Sequence, residues 1–186
     1  MVALLLAACT MAGIPACSSD DSTTTSKKSS TPPASEPSQA KSSADPTEKA
    51  KAEVLDIYAK YWRQMERSYG QASTSGTDIK QYAAGVALVQ VQQGTADMKS
   101  DGQLLTGSVK VGSPTVTQID IDGKAPSATI SSCLDVSHWD IVDAKTKKQL
   151  PLPSERLTQY VNVSTLERWP DGWKVIEDDP QEGKPC

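Results

Sequence analysis

Residues 45–65 read DPTEKAKAEVLDIYAKYWRQM, and this stretch decides the fold. Asp45 is a favourable N-cap residue, Pro46 suits the first helical position, and Glu48 stands three residues after the cap. Apolar side chains then recur every three or four residues, which places them on one face of a helix. They are Val54, Ile57, Tyr58, Tyr61, Trp62 and Met65. The pattern predicts an amphipathic helix of about six turns that ends near Gly70.

Two shorter helices are predicted after a turn rich in Ser, Thr and Gly. The second helix begins at Thr77 or Asp78 and carries Ile79 on its apolar side. The third covers residues 85–98, although Gly94 lowers the helical propensity of that segment. Both helices therefore precede any strand, and all helical segments are expected in the first half of the folded part.

After Gly102 the apolar pattern changes to a period of two, which is typical of strands. Pro114 indicates a bulge or a sheet edge within the first strand. Tight turns at Asp122-Gly123 and Pro170-Asp171-Gly172 join antiparallel neighbours. The four predicted strands cover residues 107–121, 127–143, 157–169 and 173–178. Helices followed by hairpins predict an α+β fold, with the helices packed in the concave face of a curved antiparallel sheet.

This order of elements resembles the superfamily named after nuclear transport factor two, also called SnoaL-like or cystatin-like. The strings that carry the resemblance are DPTEKAKAEVLDIYAKYWRQM, SCLDVSHWDIVD and RWPDGWKVIEDD. The resemblance covers about residues 45–179. It implies a cone-shaped domain in which long strands wrap around the first helix. It also implies that an acidic residue inside the cone acts as a base in those members that are enzymes.

The N-terminus is a separate segment with its own pattern. Residues 1–16 carry no charge and are too short for a membrane-spanning helix, but they match the apolar part of a secretory signal. The basic residues that usually precede such a run are missing, so we expect that translation begins upstream of Met1. Ile14-Pro15-Ala16-Cys17 resembles a bacterial lipoprotein lipobox, and Leu6-Ala7-Ala8-Cys9 is the alternative. The resemblance implies a lipid anchor of palmitate-type chains on Cys17 and a location on the extracytoplasmic face of the cell membrane.

Residues 17–44 link this signal to the folded part. Ser, Thr and Pro make up 17 of the 27 residues from Ser18 to Ala44, and no large apolar side chain occurs there. Such a composition cannot bury enough apolar surface to fold, so we expect a flexible tether. Residues 45–186 then form one domain. The chain has a net charge of −4, which argues against a nucleic-acid partner.

The folded part contains two cysteines, Cys133 and Cys186. Beyond a secretory signal, an even pair predicts a disulfide. A redox pair or a metal site is the alternative, but neither the CxxC spacing nor a companion cluster of His and Cys is present. We therefore expect no metal and no cofactor.

Asp135 is the main candidate for a site residue. Alternation along its strand places Asp135 on the less apolar face of the sheet. The more apolar face is the one that we expect to meet the helices. A twist or bulge that turned Asp135 inward would place it in a pocket with three tyrosines. These are Tyr58, Tyr61 and Tyr160. The alternatives are an ion pair with Arg156 or Arg168, or a turn cap near the disulfide.

The single histidine, His138, excludes any site that needs two histidines. Asp140 lies on the same face of an extended strand, whereas Ser137 points to the other face. No nucleophile–base pair is therefore evident, and we expect a partly exposed histidine without a catalytic role.

These observations lead to three functional hypotheses. The first is a non-catalytic envelope lipoprotein whose domain binds another envelope protein or forms a homodimer. The second is a lipoprotein that holds a small hydrophobic ligand in the cone, where Trp and Tyr side chains supply apolar surface with a polar handle. The third is an enzyme of the dehydratase or isomerase type. A tyrosine-lined pocket favours the second or third, and a filled cone with an apolar outer sheet face favours the first.

Overall fold

A computed structural model describes residues 45–181 and 183–186. The predicted signal, the lipidation candidates Cys17 and Cys9, and the tether to residue 44 lie outside the described residues. Within the described part, no helix is long and apolar enough to cross a membrane. The core side chains of the described residues lie between Ala50 and Val175. We therefore expect residues 45–186 to fold as an isolated domain.

The first helix, α1, spans Pro46–Gly70. The Asp45 carboxylate accepts a hydrogen bond of 2.9 Å from the backbone nitrogen of Thr47, which confirms the predicted N-cap. The apolar stripe is buried as expected, except that Ile57 is only partly buried at its margin. At 25 residues the helix makes about seven turns, one more than predicted.

The two following helices are α2, Ile79–Tyr82, and α3, Gly85–Ser100. Gly94 lies within α3 at the point where this helix approaches α1. A Cβ atom at Gly94 would overlap the hydroxyl end of the Tyr69 ring, so a larger residue there would displace this side chain. The residue that weakens the helical prediction is therefore a packing residue.

Six strands follow the helices. They are β1 Gln103–Thr106, β2 Lys110–Asp120, β3 Ser127–Asp135, β4 Asp140–Asp143, β5 Gln159–Trp169 and β6 Gly172–Pro180. The prediction of one strand over residues 127–143 is wrong, because a turn separates β3 from β4. In that turn the nitrogen of Trp139 donates to the oxygen of Val136. The strand β1, which the apolar pattern does not predict, pairs antiparallel with β4.

The four long strands form an antiparallel sheet in the order β2-β3-β5-β6. Along β3 the buried and partly buried residues alternate without a break, which confirms the predicted faces. A register shift between Gly112 and Thr115, together with a positive φ of 46° at Ser113, places a bulge beside Pro114 as predicted. The fold is therefore α+β, with helices packed against a curved antiparallel sheet.

The core is the contact between α1 and the inward face of the sheet. Val54, Tyr58 and Tyr61 of α1 are almost completely buried, as are Ile130 of β3 and Leu166 of β5. The aromatic rings make edge-to-face contacts, with centroids 6.2 Å apart for Tyr58 and Trp62. Burial of this apolar surface is the main favourable contribution that holds the helix in the sheet.

A disulfide joins Cys133 of β3 to Cys186, with Cα atoms 5.8 Å apart. The C-terminal tail pairs with β5, because the nitrogen of Gln181 donates to the oxygen of Val161 over 2.8 Å. The nitrogen of Val161 donates in turn to the oxygen of Lys184 over 2.9 Å. The bond therefore fixes the last residues against the central strands.

Replacement of both cysteines, Cys133→Ala with Cys186→Ala, is expected to lower the free energy of unfolding by about 4 kcal/mol in the chain-entropy estimate for a loop of this length. The sequence separation of the pair is 53 residues. Urea unfolding of the variant and of the oxidised and reduced parent domain measures the difference. A loss below about 1 kcal/mol in both comparisons would contradict the expected role of the bond.

Candidate functional site

A cavity of about 310 Å³ lies between α1, α3 and the ends of the strands. Most of its wall is apolar. The apolar side chains include Trp62 and Met65 of α1, Met98 of α3, Leu105 of β1, and Trp139 and Ile141 from the β3–β4 turn and β4. This volume is at the lower end of the range for small-molecule pockets. A second cavity of about 180 Å³ shares Met65, Tyr69 and Asp178 with the first, so the two meet at these residues.

Asp178 of β6 is the one charged residue in the described lining of both cavities. Its Oδ1 accepts a hydrogen bond of 2.5 Å from the hydroxyl of Ser164, its cross-strand neighbour on β5. The same oxygen accepts a 2.8 Å bond from the side-chain nitrogen of Asn162. Burial raises the pKa of Asp178, while the bonds from Ser164, Asn162 and Tyr61 act in the opposite direction.

A chain of polar side chains leads from Asp178 into the core. The Asn162 side-chain nitrogen donates to the Tyr58 hydroxyl over 3.3 Å, and that hydroxyl is 2.8 Å from the hydroxyl of Ser132. Asn162 also lies 3.0 Å from the Ser164 hydroxyl, so its two N–H groups face three acceptors. Its buried carbonyl oxygen has no partner among the described residues. The carboxylate is thus held by side chains that are themselves completely buried.

Four tyrosines surround this carboxylate. Burial raises the pKa of each hydroxyl, and the charge of Asp178 raises it further. They are Tyr58, Tyr61, Tyr69 and Tyr160. The tyrosines therefore stay neutral at physiological pH and act as hydrogen-bonding groups. An acid–phenol cluster does exist in the cone, but its acid is Asp178.

The structure corrects the prediction that placed Asp135 in this pocket. Asp135 lies at the end of β3 on the face away from the helices, because no bulge interrupts the alternation of that strand. Its carboxylate accepts bonds of 3.0 Å from the nitrogen of Ser137 and 3.3 Å from Gln159. The bonds from Ser137 lower the pKa of Asp135. Arg156 instead donates to backbone oxygens, including that of Val136, so Asp135 is a turn cap, which was one of the alternatives.

The three predicted tyrosines occupy different positions relative to the cavities. Tyr160 lines the larger cavity and Tyr61 lines the smaller one. Tyr58 lines neither cavity. Its hydroxyl accepts a bond from Asn162, whose side-chain nitrogen also donates to Asp178. The carboxyl group near these phenols is that of Asp178 rather than that of Asp135.

A β-bulge explains why Asp178 was missed. Leu166 pairs with Val175, but the next residue of β5, Thr165, pairs with Glu177, so β6 contains one extra residue. Simple alternation from the buried Val175 would point Glu177 inward and Asp178 outward. The extra residue reverses this order, so Asp178 points inward and Glu177 points outward. No residue type in the string VIEDD indicates where the bulge lies.

His138 lies outside the cavities, in the exposed turn after β3. Its Nδ1 is 3.1 Å from the hydroxyl of Ser137, so the prediction that these side chains point apart is wrong. The turn, rather than an extended strand, brings them together. Asp140 accepts a bond from Gln149. The described residues contain no group of three or more side chains suited to hold a metal ion.

Comparison with solved structures shows the fold of this domain. The crystal structure of the intermembrane space region of the chloroplast protein ARC6 matches with a TM-score of 0.51 at 11% identity, over 73% of this chain and 97% of that one. At this identity the likeness shows a shared fold and carries no functional conclusion. No protein-family model matches the sequence, and no curated protein matches it.

Two further structures have lower TM-scores. An NTF2-like protein with a cystatin-like fold from Novosphingobium aromaticivorans gives 0.36 at 17% identity, over 74% of this chain and 86% of that one. Aln2 from a Streptomyces species gives a TM-score of 0.39 at 16% identity, over 74% of this chain and 91% of that one.

The substitution Asp178→Asn is expected to change stability in a pH-dependent way. The amide keeps an oxygen for Ser164 and Asn162 but has no proton to exchange. Because the pKa of Asp178 is raised by folding, the folded state binds more protons than the unfolded state above about pH 3.9. The free energy of unfolding of the parent should therefore fall relative to the variant as the pH rises from that value through the raised pKa.

Urea unfolding between pH 4 and pH 8 measures this difference. The matched control is Asp179→Asn, which removes the same charge from the exposed neighbour on β6. A difference between parent and Asp178→Asn that is independent of pH, or that has the opposite sign, would contradict the assignment.

Proposed function

We propose that this chain is a lipid-anchored protein of the bacterial cell envelope whose domain binds a small apolar molecule in the cavity beside Asp178. The observation that carries the proposal is the cavity itself, an apolar space of about 310 Å³ with one buried polar cluster in its wall. Such a combination of apolar surface and few convergent polar groups is typical of ligand sites.

The shape of the cavity supports a ligand with one apolar part. Met65, Met98, Leu105 and Ile141 offer aliphatic or thioether surface from four different elements. Methionine side chains adapt to irregular ligands because they are unbranched and polarizable. A molecule that fills this space replaces water on apolar walls, which is favourable in proportion to the area covered.

The polar cluster supports a ligand with one polar end. Ser164 and Asn162 both bond to Oδ1 of Asp178, which fixes the orientation of the carboxyl group. A polar group of the ligand that reached this carboxyl group would be oriented by it. Ligand binding thus uses the pocket that the tyrosines and Asp178 form together.

The outer face of the sheet gives less support to a protein-interaction role. In β3 and β5 this face is mixed: the small polar side chains of Thr129, Ser131 and Thr165 stand beside Val161 and Val163. The most exposed large apolar side chains of the described residues are Val86, Val89, Leu157 and Trp169, on different elements apart from the two valines. Stable interfaces usually have a contiguous apolar centre, so ligand binding is the better supported of the two functions.

A dehydratase or isomerase would use the same carboxyl group to move a proton. That function needs a second group to receive or supply the proton on the other side of the substrate. In the described cavity lining the remaining titratable side chains are tyrosines with raised pKa values. Binding without turnover is therefore the function we propose.

The proposed location rests on the N-terminal sequence. The uncharged run of residues 1–16, the small residue before Cys17 and the Ser/Thr/Pro-rich segment after it together favour lipidation at Cys17. The two or three acyl chains of a bacterial lipoprotein give stable attachment, whereas a single chain does not. The tether then holds the domain above the extracytoplasmic face of the membrane.

A bulky residue in the cavity should block binding. The variant Met98→Trp is expected to weaken binding of the neutral apolar probe N-phenyl-1-naphthylamine at least about tenfold, because the indole occupies the space of the probe. Val89→Trp is the matched control, since Val89 lies on the same helix and is 61% exposed. Fluorescence titration of domain 45–186 measures both affinities. Absence of saturable binding, or equal binding by parent and Met98→Trp, would contradict the proposed function.

The lipid anchor has a separate test. Expression of the full chain, with a short Lys-containing segment placed before Met1 to supply the missing basic residues, in a bacterium fed an alkyne-labelled palmitate should give a labelled protein, and Cys17→Ser should abolish the label. Cys9→Ser is the matched control and should retain it. Loss of the label in Cys9→Ser alone would move the anchor to Cys9, and an unlabelled parent would refute lipidation.

A further inference from the structure

The larger cavity contains one acidic side chain, that of Asp178, without a positively charged neighbour. Its described lining contains no Lys or Arg, and Asp178 makes no ion pair among the described residues. The protein bonds to its carboxyl group come from neutral groups, the hydroxyls of Ser164 and Tyr61 and the amide of Asn162. An ionised carboxylate in apolar surroundings is costly unless a cation accompanies it.

The remaining wall is rich in aromatic side chains. Four aromatic residues line the same cavity as Asp178, namely Trp62, Tyr69, Trp139 and Tyr160. Aromatic rings attract cations through the negative potential over their faces, and Trp is the most effective of them. The tyrosines among them are neutral, so they add no charge that would compete with Asp178 for a cation.

Resting on the proposed function, we propose that the ligand is an amphipathic amine, whose ammonium group binds Asp178 among the aromatic side chains. The hydrocarbon part of the ligand then occupies the space between Met98, Leu105 and Ile141. A ligand with a carboxylate or phosphate at its polar end is disfavoured, because it would place a second acidic group beside Asp178 without a compensating cation. A neutral alcohol offers Asp178 a weaker bond, since it carries no charge.

Three probes with the same hydrocarbon part separate these cases. They are 3-phenylpropylamine, 3-phenylpropanol and 3-phenylpropanoate, each titrated calorimetrically into domain 45–186 at pH 7.5. The amine is expected to bind at least about tenfold more tightly than the alcohol, which is the range of a charge-assisted hydrogen bond. The carboxylate is expected to bind most weakly of the three.

The variant Asp178→Asn assigns the preference to this residue. In it the affinities for amine and alcohol should differ by no more than about threefold, since the remaining contacts are common to both probes. Asp179→Asn is the matched control, because it removes an equal charge from the adjacent, exposed residue that bonds to Gln181. This control should keep the preference of the parent. If Asp178→Asn does not fold, the comparison of the three probes on the parent decides alone.

Failure of the amine assignment can be distinguished from failure of the proposed ligand-binding function. Equal binding of amine and alcohol by the parent would overturn the amine assignment and leave a neutral-ligand site. Loss of the preference in Asp179→Asn as well would overturn the role of Asp178. Failure of all three probes would overturn the amine assignment, while the naphthylamine titration with Met98→Trp decides separately whether the cavity binds ligands.

Discussion

The burial of the aromatic stripe of α1 in the concave face of the sheet determines most of this structure. The chain contains no Phe, so the large side chains of the core are Tyr and Trp, which bring polar atoms into the interior. Tyr58 is 1% exposed, and its hydroxyl needs a partner there. Ser132 and Asn162 on the facing strands supply it. The buried polar cluster is thus a consequence of how the helix is packed.

The same packing produces the cavity. In the first half of α1, Val54 is completely buried, and the Tyr58 hydroxyl lies 2.8 Å from that of Ser132 on β3. Towards the end of the helix, Met65 and Tyr69 face the short strands β1 and β4, which form a separate two-stranded sheet. At that end the side chains of α1 and of the short strands do not fill the space between them, which leaves the larger cavity. The site therefore lies where the long sheet and the short sheet diverge, with Asp178 on the edge strand of the long one.

The sequence predicts the elements that depend on a regular period. The stripe of α1, the faces of β3 and the bulge beside Pro114 follow from helical spacing, alternation and proline chemistry. Asp178 does not, because the extra residue in β6 reverses the alternation and nothing in the local sequence marks it. The division of residues 127–143 does not follow from alternation either, because a local turn interrupts the strand where the Asp135 carboxylate accepts a bond from the nitrogen of Ser137.

The most direct measurement uses the methionines. Domain 45–186 contains two, Met65 and Met98, and both line the larger cavity. In a sample labelled with ¹³C at the methionine methyl groups, titration with 3-phenylpropylamine should shift both methyl signals and give nuclear Overhauser contacts from the probe to both. Binding of the probe without a change at either methyl group would contradict the claim that this cavity is the ligand site.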